Sequence, residues 1–439
     1  MKHFFSLLFA FTFYASFGQT PCEGGRFSSD IFNEVTVSPN VIYGQNTSWS
    51  GGNTTLYFDF YEPQGDNLQA RPLIIWVHGG SFLGGSRTES DMVALSNRFA
   101  KKGFACASIS YRTGFFPIDS TNSVRAVVRA VQDLKGAIRF FYKDAATNNQ
   151  YKIDTTNIFI GGSSAGAITA LHVAYLNEAC ELYDYLTETQ QNSLGGLEGN
   201  SGSAGYSTKV KGVLNGCGAL ARYSWLDPSN LEVPLASVHG TTDNVVTYNR
   251  GLVNPGVPLM YLDGSRMLHE RACAIGLENQ IYTFNGAGHV PYLGTSAAAV
   301  SYMDTTVNFY RDFLVNQIGC TEPSIQPANA LAQNAVLYNA AYCDGSSVSE
   351  VCATSNVLED SHFQFSIAPN PANSLVSIAT QLSDAMSMRI LDISGRVIWA
   401  GAFQSTTQVD VSSIVSGTYI IEITLNNSGI SQTQKLIIE

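Results

Sequence analysis

Charge is scarce in this sequence. Asp, Glu, Lys and Arg make up 13% of its 439 residues, about half the share of an average globular chain. The 24 basic residues are outnumbered by 35 acidic ones, leaving a formal charge of −11. A surface of that sign repels phosphate backbones and anionic headgroups, which argues against a nucleic-acid partner. Long apolar runs are also missing: beyond a short N-terminal stretch, no segment reaches the roughly 20 apolar residues of a bilayer-spanning helix, so no stable membrane insertion is expected. No Cys-x-x-Cys occurs and no His/Cys cluster has zinc-ligand spacing, so neither a metal site nor a cofactor is inferred. The hydrophobic share of 45% is ample for a core. The length predicts two or three folding units, at least one of them large.

What is present begins with an export signal. Met1-Lys2-His3 is a short basic start, Phe4 to Phe13 is almost unbroken apolar sequence, and Ser16-Phe17-Gly18 offers a small-x-small cleavage pattern. Residues 1–18 are therefore expected to be removed before Gln19. All eight cysteines follow that cut, an even number in a chain bound for an oxidising compartment, and some disulfides are expected. Cys343 and Cys352 are close enough to close a local loop. Cys106, inside the apolar run Phe104 to Ile109, reads equally well as a buried free thiol.

From about Leu56 to Phe313, short apolar runs alternate with helical periodicity, the pattern of a mostly parallel sheet wrapped by helices. Leu73 to Val77 reads as a strand covered on both faces. Met92, Leu95, Ser96 and Phe99 share a helix face that Gly103 ends. Val124, Val127, Val128, Val131, Leu134, Ile138 and Phe141 mark a longer helix, with Thr121, Asn122 or Ser123 available as N-cap. Further strands are expected at Phe104 to Ile109, Asn157 to Ile160, Val210 to Leu214, Pro234 to Val238 and Gln280 to Phe284, and helices at Ala167 to Asn177 and Met303 to Leu314. Residues 186 to 208 lose the apolar period and are expected to form a loop or cap over one end of the sheet. The division is thus an α/β unit over 19–320, a linker over 321–361, and a small β-sandwich over 362–439, where only strand alternation and turn signals remain.

Three separated motifs carry chemistry. Gly162-Ser163-Ser164-Ala165-Gly166 leaves a strand and enters a helix, the setting in which a serine stands exposed on a sharp turn. His78-Gly79-Gly80-Ser81-Phe82 follows the strand Leu73 to Val77, and a glycine-rich turn there can aim backbone N–H groups at a developing oxyanion. Gly80, Ser81 and Ala165 are the candidates. Asp243, after Val238-His239-Gly240-Thr241-Thr242, and His289, after Gly286-Ala287-Gly288, complete a serine, acid, histidine order. Serine needs an imidazole to take its proton, and a carboxylate to hold that imidazole in the right tautomer.

On these residues, 56 to 316 resemble the α/β-hydrolase fold, in its carboxylesterase and lipase branch. The shared features are the His-Gly-Gly turn, the G-x-S-A-G elbow, the approach from Ile153-Asp154, and the acid loop His239-Gly240-x-x-Asp243. Two positions depart: Ser163 precedes the nucleophile where many relatives carry an acid, and Ser81 replaces the third glycine. Phe365 to Glu439 resembles the sorting domain of the type IX secretion system, through Ile367-Ala368-Pro369-Asn370-Pro371, Ile393-Ser394-Gly395-Arg396-Val397 and Gly417-Thr418-Tyr419. That resemblance implies the secretion machinery as partner and a secreted or outer-surface location. On its residues alone the segment reads equally as a carbohydrate-binding sandwich, for which Trp399 and Tyr419 are few aromatics.

The leading expectation is a secreted serine hydrolase of carboxylic esters, acting on small or polymer-linked substrates such as acetylated or feruloylated polysaccharides or polyesters. Ser164, His289 and Asp243 form its triad. Phe82, Trp225 and the segment Thr187 to Thr208 are expected to border the acyl pocket. Two other readings are a peptidase on the same scaffold and a catalytically silent adhesion or binding protein. The first usually requires an extra large domain, for which Gln19 to Thr55 is short. The second typically loses the serine, which this chain keeps.

Overall fold

Every residue from Arg71 to Val77 is buried, as the unbroken apolar run requires of a strand covered on both faces. The computed structural model describes residues 22–320, 365–380, 382, 384–392, 396–426 and 431–439. The expected export signal, linker and Cys343–Cys352 loop lie outside the described residues. The chain divides into two units, 1–353 and 354–439.

In the first unit the strands are β1 (Val35–Thr47), β2 (Asn53–Pro63), β3 (Arg71–Val77), β4 (Ala105–Ile109), β5 (Ile153–Ser163), β6 (Gly212–Gly216), β7 (Ala219–Leu220), β8 (Leu235–Gly240), β9 (Arg250–Leu252), β10 (Tyr261–Gly264) and β11 (Asn279–Phe284). Eight of them form one sheet ordered β1-β2-β4-β3-β5-β6-β8-β11, and β7-β10-β9 form a second, small one. From β4 to β11 all neighbours in the large sheet are parallel, while β2 pairs antiparallel with β4 and with β1. The helices are α1 (Ser90–Lys101), α2 (Ser120–Ala146), α3 (Ala165–Tyr175), α4 (Glu188–Ser193), α5 (Ser265–Ile275) and α6 (Ala297–Gln317).

Side-chain alternation along β3 sorts the layers. Leu73, Ile75 and Val77 pack with Val128, Val131 and Leu134 of α2 and Leu171 of α3. Ile74 and Trp76 face the other way, toward Phe99 of α1 and Tyr310 of α6, whose rings lie 5.9 and 6.3 Å from the indole. Because β4 lies on one side of β3 and β5 on the other, the connections diverge at the carboxyl ends of β3 and β5. In open α/β sheets that divergence leaves the crevice where ligands bind.

Three features differ from the sequence expectation. The hairpin β1–β2 begins well before Leu56; β1 is a mostly exposed edge strand with two bulges, so it has no apolar period to read. The cap of α2 is Asp119, in extended conformation, whose carboxylate accepts from the N–H of Asn122 at 2.8 Å. Residues 186–208 contain α4 and are tied to polar side chains of α2 that would otherwise read as a solvated face. Gln132 Nε2 donates to the carbonyls of Leu194 and Gly196 (2.7 and 2.6 Å), Arg139 Nη1 donates to that of Glu198 (3.1 Å), and Ser201 Oγ donates to the buried Asp133 (2.5 Å). Asp133 is paired in turn with Arg112 at 2.9 Å.

The second unit is all-β: β12 (Phe365–Ala368), β13 (Leu375–Thr380), β14 (Ala385–Asp392), β15 (Val397–Gln404), β16 (Thr406–Asp410), β17 (Gly417–Leu425) and β18 (Ser431–Ile438), in the order β12-β13-β16-β15-β14-β17-β18. Alternate residues such as Val376, Ile378, Met388, Ile390, Ile421 and Ile423 fill its core. A bridge from Ala372, just after β12, to Ile438 of β18 brings the two ends of the sheet together into a sandwich-like closure. Tyr419 is buried with its hydroxyl donating to the Val415 carbonyl, and Trp399 packs against the core. Neither supplies the exposed aromatic face that sugar binding would use.

Cys22 and Cys320 form a disulfide, Cys180 is disulfide-bonded, and Cys106 is a buried free thiol. The Cys22–Cys320 bond ties the segment before β1 to the end of α6 across 298 residues, so it removes much freedom from the unfolded chain. Replacing both cysteines by Ser is expected to lower stability by about 2–4 kcal/mol, read as a fall in the urea midpoint; an unchanged midpoint would show that the crosslink adds no stability.

Candidate active site

The turn between β5 and α3 sets the geometry. Ser164 has φ 55° and ψ −120°, a strained conformation for a residue with a side chain. Its N–H donates to the Gly216 carbonyl at 2.8 Å. The turn lies so close to the end of β3 that a Cβ on Gly162 or Gly166 would stand 2.2 or 1.8 Å from the Val77 carbonyl oxygen. Glycine on both sides is what lets the strand and helix meet there. Thr169 is at 2.8 Å from the Ala165 carbonyl, and α3 begins at Ala165, whose N–H has no partner one turn back.

Ser164 Oγ donates to His289 Nε2 at 2.8 Å, and His289 Nδ1 donates to Asp243 Oδ2 at 2.6 Å. The histidine follows β11 and the acid follows β8, so three strand ends deliver the three groups to one place. Asp243 Oδ1 accepts from the N–H groups of Val245 and Val246, at 2.9 and 3.0 Å. Burial alone would raise the Asp243 pKa, but hydrogen bonds from His239 and His289 outweigh it and hold the carboxyl well below its ordinary range.

His239 is the partner that the sequence motif contained but did not assign. Its Nε2 lies 2.8 Å from the Val246 carbonyl and 3.2 Å from Asp243 Oδ2, so one N–H is shared between them; its Nδ1 accepts from Ser265 Oγ at 2.7 Å. Cys217, His239 and Asp243 come within 4.8 Å of one another. With both imidazole nitrogens of His239 engaged, that cluster has no free lone pair on the ring for a metal ion.

The turn after β3 is braced from below. Tyr111 Oη donates to the His78 carbonyl at 3.1 Å, and its ring stacks on the His78 imidazole at 4.4 Å. Gly80 has φ 108°, and a Cβ there would meet the Gly84 carbonyl oxygen at 2.3 Å. Ser81 and Phe82 follow at φ 57° and 61°, so three successive residues are left-handed. Among the described residues, none accepts from the N–H of Gly80 or Ser81. Ser81, Phe82, Ser164 and Ala165 line one cavity together with Trp225. Its walls are otherwise mostly Val, Leu, Ile and Met side chains from α2, α3 and the segment 245–262. Thr187 to Thr208 do not line it; their anchorage on α2 takes them elsewhere. At the position before Ser164, where the family pattern has an acid, Ser163 Oγ bonds to Tyr292 Oη at 2.9 Å, and the buried Asp91 carboxyl of α1 lies beside it. An acid therefore stands beside the elbow, supplied from α1.

The mostly parallel sheet and the strand, sharp turn, helix passage at Ser164 define an α/β-hydrolase. Residues 58–219 match the BD-FAE family, so the chain carries a domain of that α/β-hydrolase esterase family. Residues 366–439 match the secretion system C-terminal sorting domain, which marks a secreted or cell-surface protein. Among the described residues no helix is long and apolar enough to cross a membrane. The neuroligin-like protein glit-1 of Caenorhabditis elegans is 24% identical over 260 residues, 56% of this chain and 34% of that protein. The chain thus spans about a third of the length of that relative. Esterase 2 of Thermogutta terrifontis phosphorylated by paraoxon is 18% identical with a TM-score of 0.48, over 67% of this chain and 97% of the other. Its apo form is 18% identical with a TM-score of 0.47, over 68% and 100%.

Burial, aided by the charge of Arg87, pushes the His78 imidazole down to about 4, and burial does the same to His172 of α3. Both would take up a proton near pH 6.5 in the unfolded chain. Between these values the unfolded state holds more protons, so stability rises with pH across the window and is lost on acidification. By pH 4 each histidine costs about 2–3 kcal/mol. Thermal melts are expected to give a lower Tm at pH 4.5 than at pH 7; a Tm independent of pH would contradict the buried neutral rings.

Proposed function

We propose that this chain is a secreted serine hydrolase of carboxylic esters. The observation that carries the reading is the unbroken relay from Ser164 Oγ through His289 to Asp243, at 2.8 and 2.6 Å. Ser164 Oγ attacks the ester carbonyl carbon while its proton passes to His289 Nε2. The negative charge on the carbonyl oxygen is met by the N–H groups of Gly80, Ser81 and Ala165, the last at the positive end of α3. Asp243 holds the Nδ1–H tautomer and stabilises the imidazolium that forms. The tetrahedral intermediate collapses, the C–O bond to the alcohol breaks, and His289 returns the proton to the leaving oxygen. Water, deprotonated by His289, then attacks the acyl-enzyme; the acid leaves and Ser164 regains its proton.

The substrate proposed is a polymer-linked ester, either an acetyl or feruloyl polysaccharide ester or a polyester, including aromatic ones. Export supports a substrate outside the cell, and the apolar cavity beside Ser164, with Phe82 and Trp225 in its wall, suits the acyl part. Removal of 1–18 as an export signal, a linker over 321–361 and handling of the C-terminal unit by the type IX secretion machinery belong to the same proposal. Part of the stretch considered for a peptidase's extra domain, Val35–Thr47, is strand β1 of the sheet, which favours an esterase. Retention of all three triad residues in bonding geometry disfavours a silent adhesion protein.

Ser164→Ala is expected to reduce hydrolysis of p-nitrophenyl acetate by at least about a thousandfold, leaving only what the N–H donors and binding supply, while circular dichroism and Tm stay close to wild type. Full turnover by the folded variant would refute the assignment. Cleavage of aminoacyl anilides without cleavage of any ester would replace it by the peptidase reading.

A further inference from the structure

The cavity beside Ser164 runs along one face of α3. Ser164, Ile168, His172 and Leu176 follow at steps of four and all line it, as residues on one stripe of a helix must. His172 lies two turns beyond Ser164, roughly 12 Å down the helix axis. Among largely aliphatic walls it is a buried histidine. Its Nδ1 is 2.7 Å from the Ile168 carbonyl oxygen; a carbonyl only accepts, so Nδ1 carries the proton. With the ring neutral, Nε2 holds a lone pair. Among the described residues no group donates to that atom. Trp225, its centroid 5.5 Å away, stands edge-on to the imidazole and closes the same part of the cavity.

An acceptor with no protein donor in the wall of a mostly apolar cavity goes unpaired when an alkyl group fills the space beside it, and is satisfied when a donor enters there. We propose that His172 is a specificity residue: its Nε2 accepts a hydrogen bond from a hydroxyl at the far end of the acyl group, so the pocket selects esters of ω-hydroxylated acids over alkyl ones of equal length. This rests on the ester-hydrolase reading above and adds the acyl class. An acetyl group is too short to reach the imidazole. A long alkyl group fills the cavity but buries Nε2 against a methyl group and leaves it unpaired. A chain ending in a hydroxyl satisfies it. Sites built to bond a substrate hydroxyl reject the analogue lacking it much more strongly than apolar pockets reject one methylene.

The test compares kcat/KM for methyl 8-hydroxyoctanoate and methyl nonanoate, which differ by hydroxyl for methyl, using the full secreted chain; p-nitrophenyl acetate reports on the underlying activity. The wild type is expected to prefer the hydroxylated ester by about tenfold. His172→Phe is expected to bring the ratio to one or below, and His172→Gln, which keeps an acceptor oxygen, to restore part of it. Taking the ratio within each variant cancels any loss of folded protein. A wild-type ratio near one, or a preference that survives in His172→Phe, overturns the proposal while acetate turnover leaves the esterase reading standing. Absence of turnover on all three esters removes both.

Discussion

The close approach of the β5–α3 turn to the end of β3 is the constraint on which the site depends. The Val77 carbonyl occupies the space that side chains at 162 and 166 would need, so the turn can sit there only with glycine at both positions. That approach leaves Ser164 at φ 55°, its N–H spent on the Gly216 carbonyl and its side chain free to face His289. Strain of this kind persists only where surrounding structure over-determines it. Here the buried strand β3 and the wholly buried helix α3 do so. The same approach puts the start of α3 beside the turn containing Gly80 and Ser81, so the proposed nucleophile and the proposed N–H donors share one origin.

Around that point the polar groups form a graded chain. Asp243 is buried and kept charged by two backbone N–H groups and two imidazoles, whereas His289 is partly open to solvent. A carboxylate so supported has little reason to take the proton, which suits orientation and charge stabilisation. His239 extends the chain inward through Ser265 to Asn215, whose Nδ2 donates to Ser265 and Ser237 at 2.9 Å each. These buried groups fix the acid loop from behind, a role that no motif states.

Much of this was legible in the residues, for identifiable reasons. The continuous apolar run at Leu73 to Val77 announced a doubly covered strand, and the elbow, the glycine turn, Asp243 and His289 each followed a strand that periodicity could mark. Features made by contacts across long stretches of chain were hidden. Tyr111 braces the turn at His78 from 33 residues away, and Tyr292 meets Ser163 across 129. Edge strand β1 lacked a period because most of it faces solvent. The polar stretch after Thr187 looked like a cap over the site because its tether to Gln132, Asp133 and Arg139 is written in helix α2. His172 read as one more residue of a buried helix. Only the four-residue stripe from Ser164 to Leu176, seen against the cavity, separates it from its neighbours.

The central claim is that Ser164 is the nucleophile, activated by His289. The most direct measurement is active-site titration with a fluorophosphonate, followed by proteolysis and mass spectrometry of the adduct. The account predicts one phosphonyl group per chain, on the peptide containing Ser164, and none detectable when His289 is replaced by Ala. A folded wild-type protein that takes up no label, or takes it up on another residue, would contradict it.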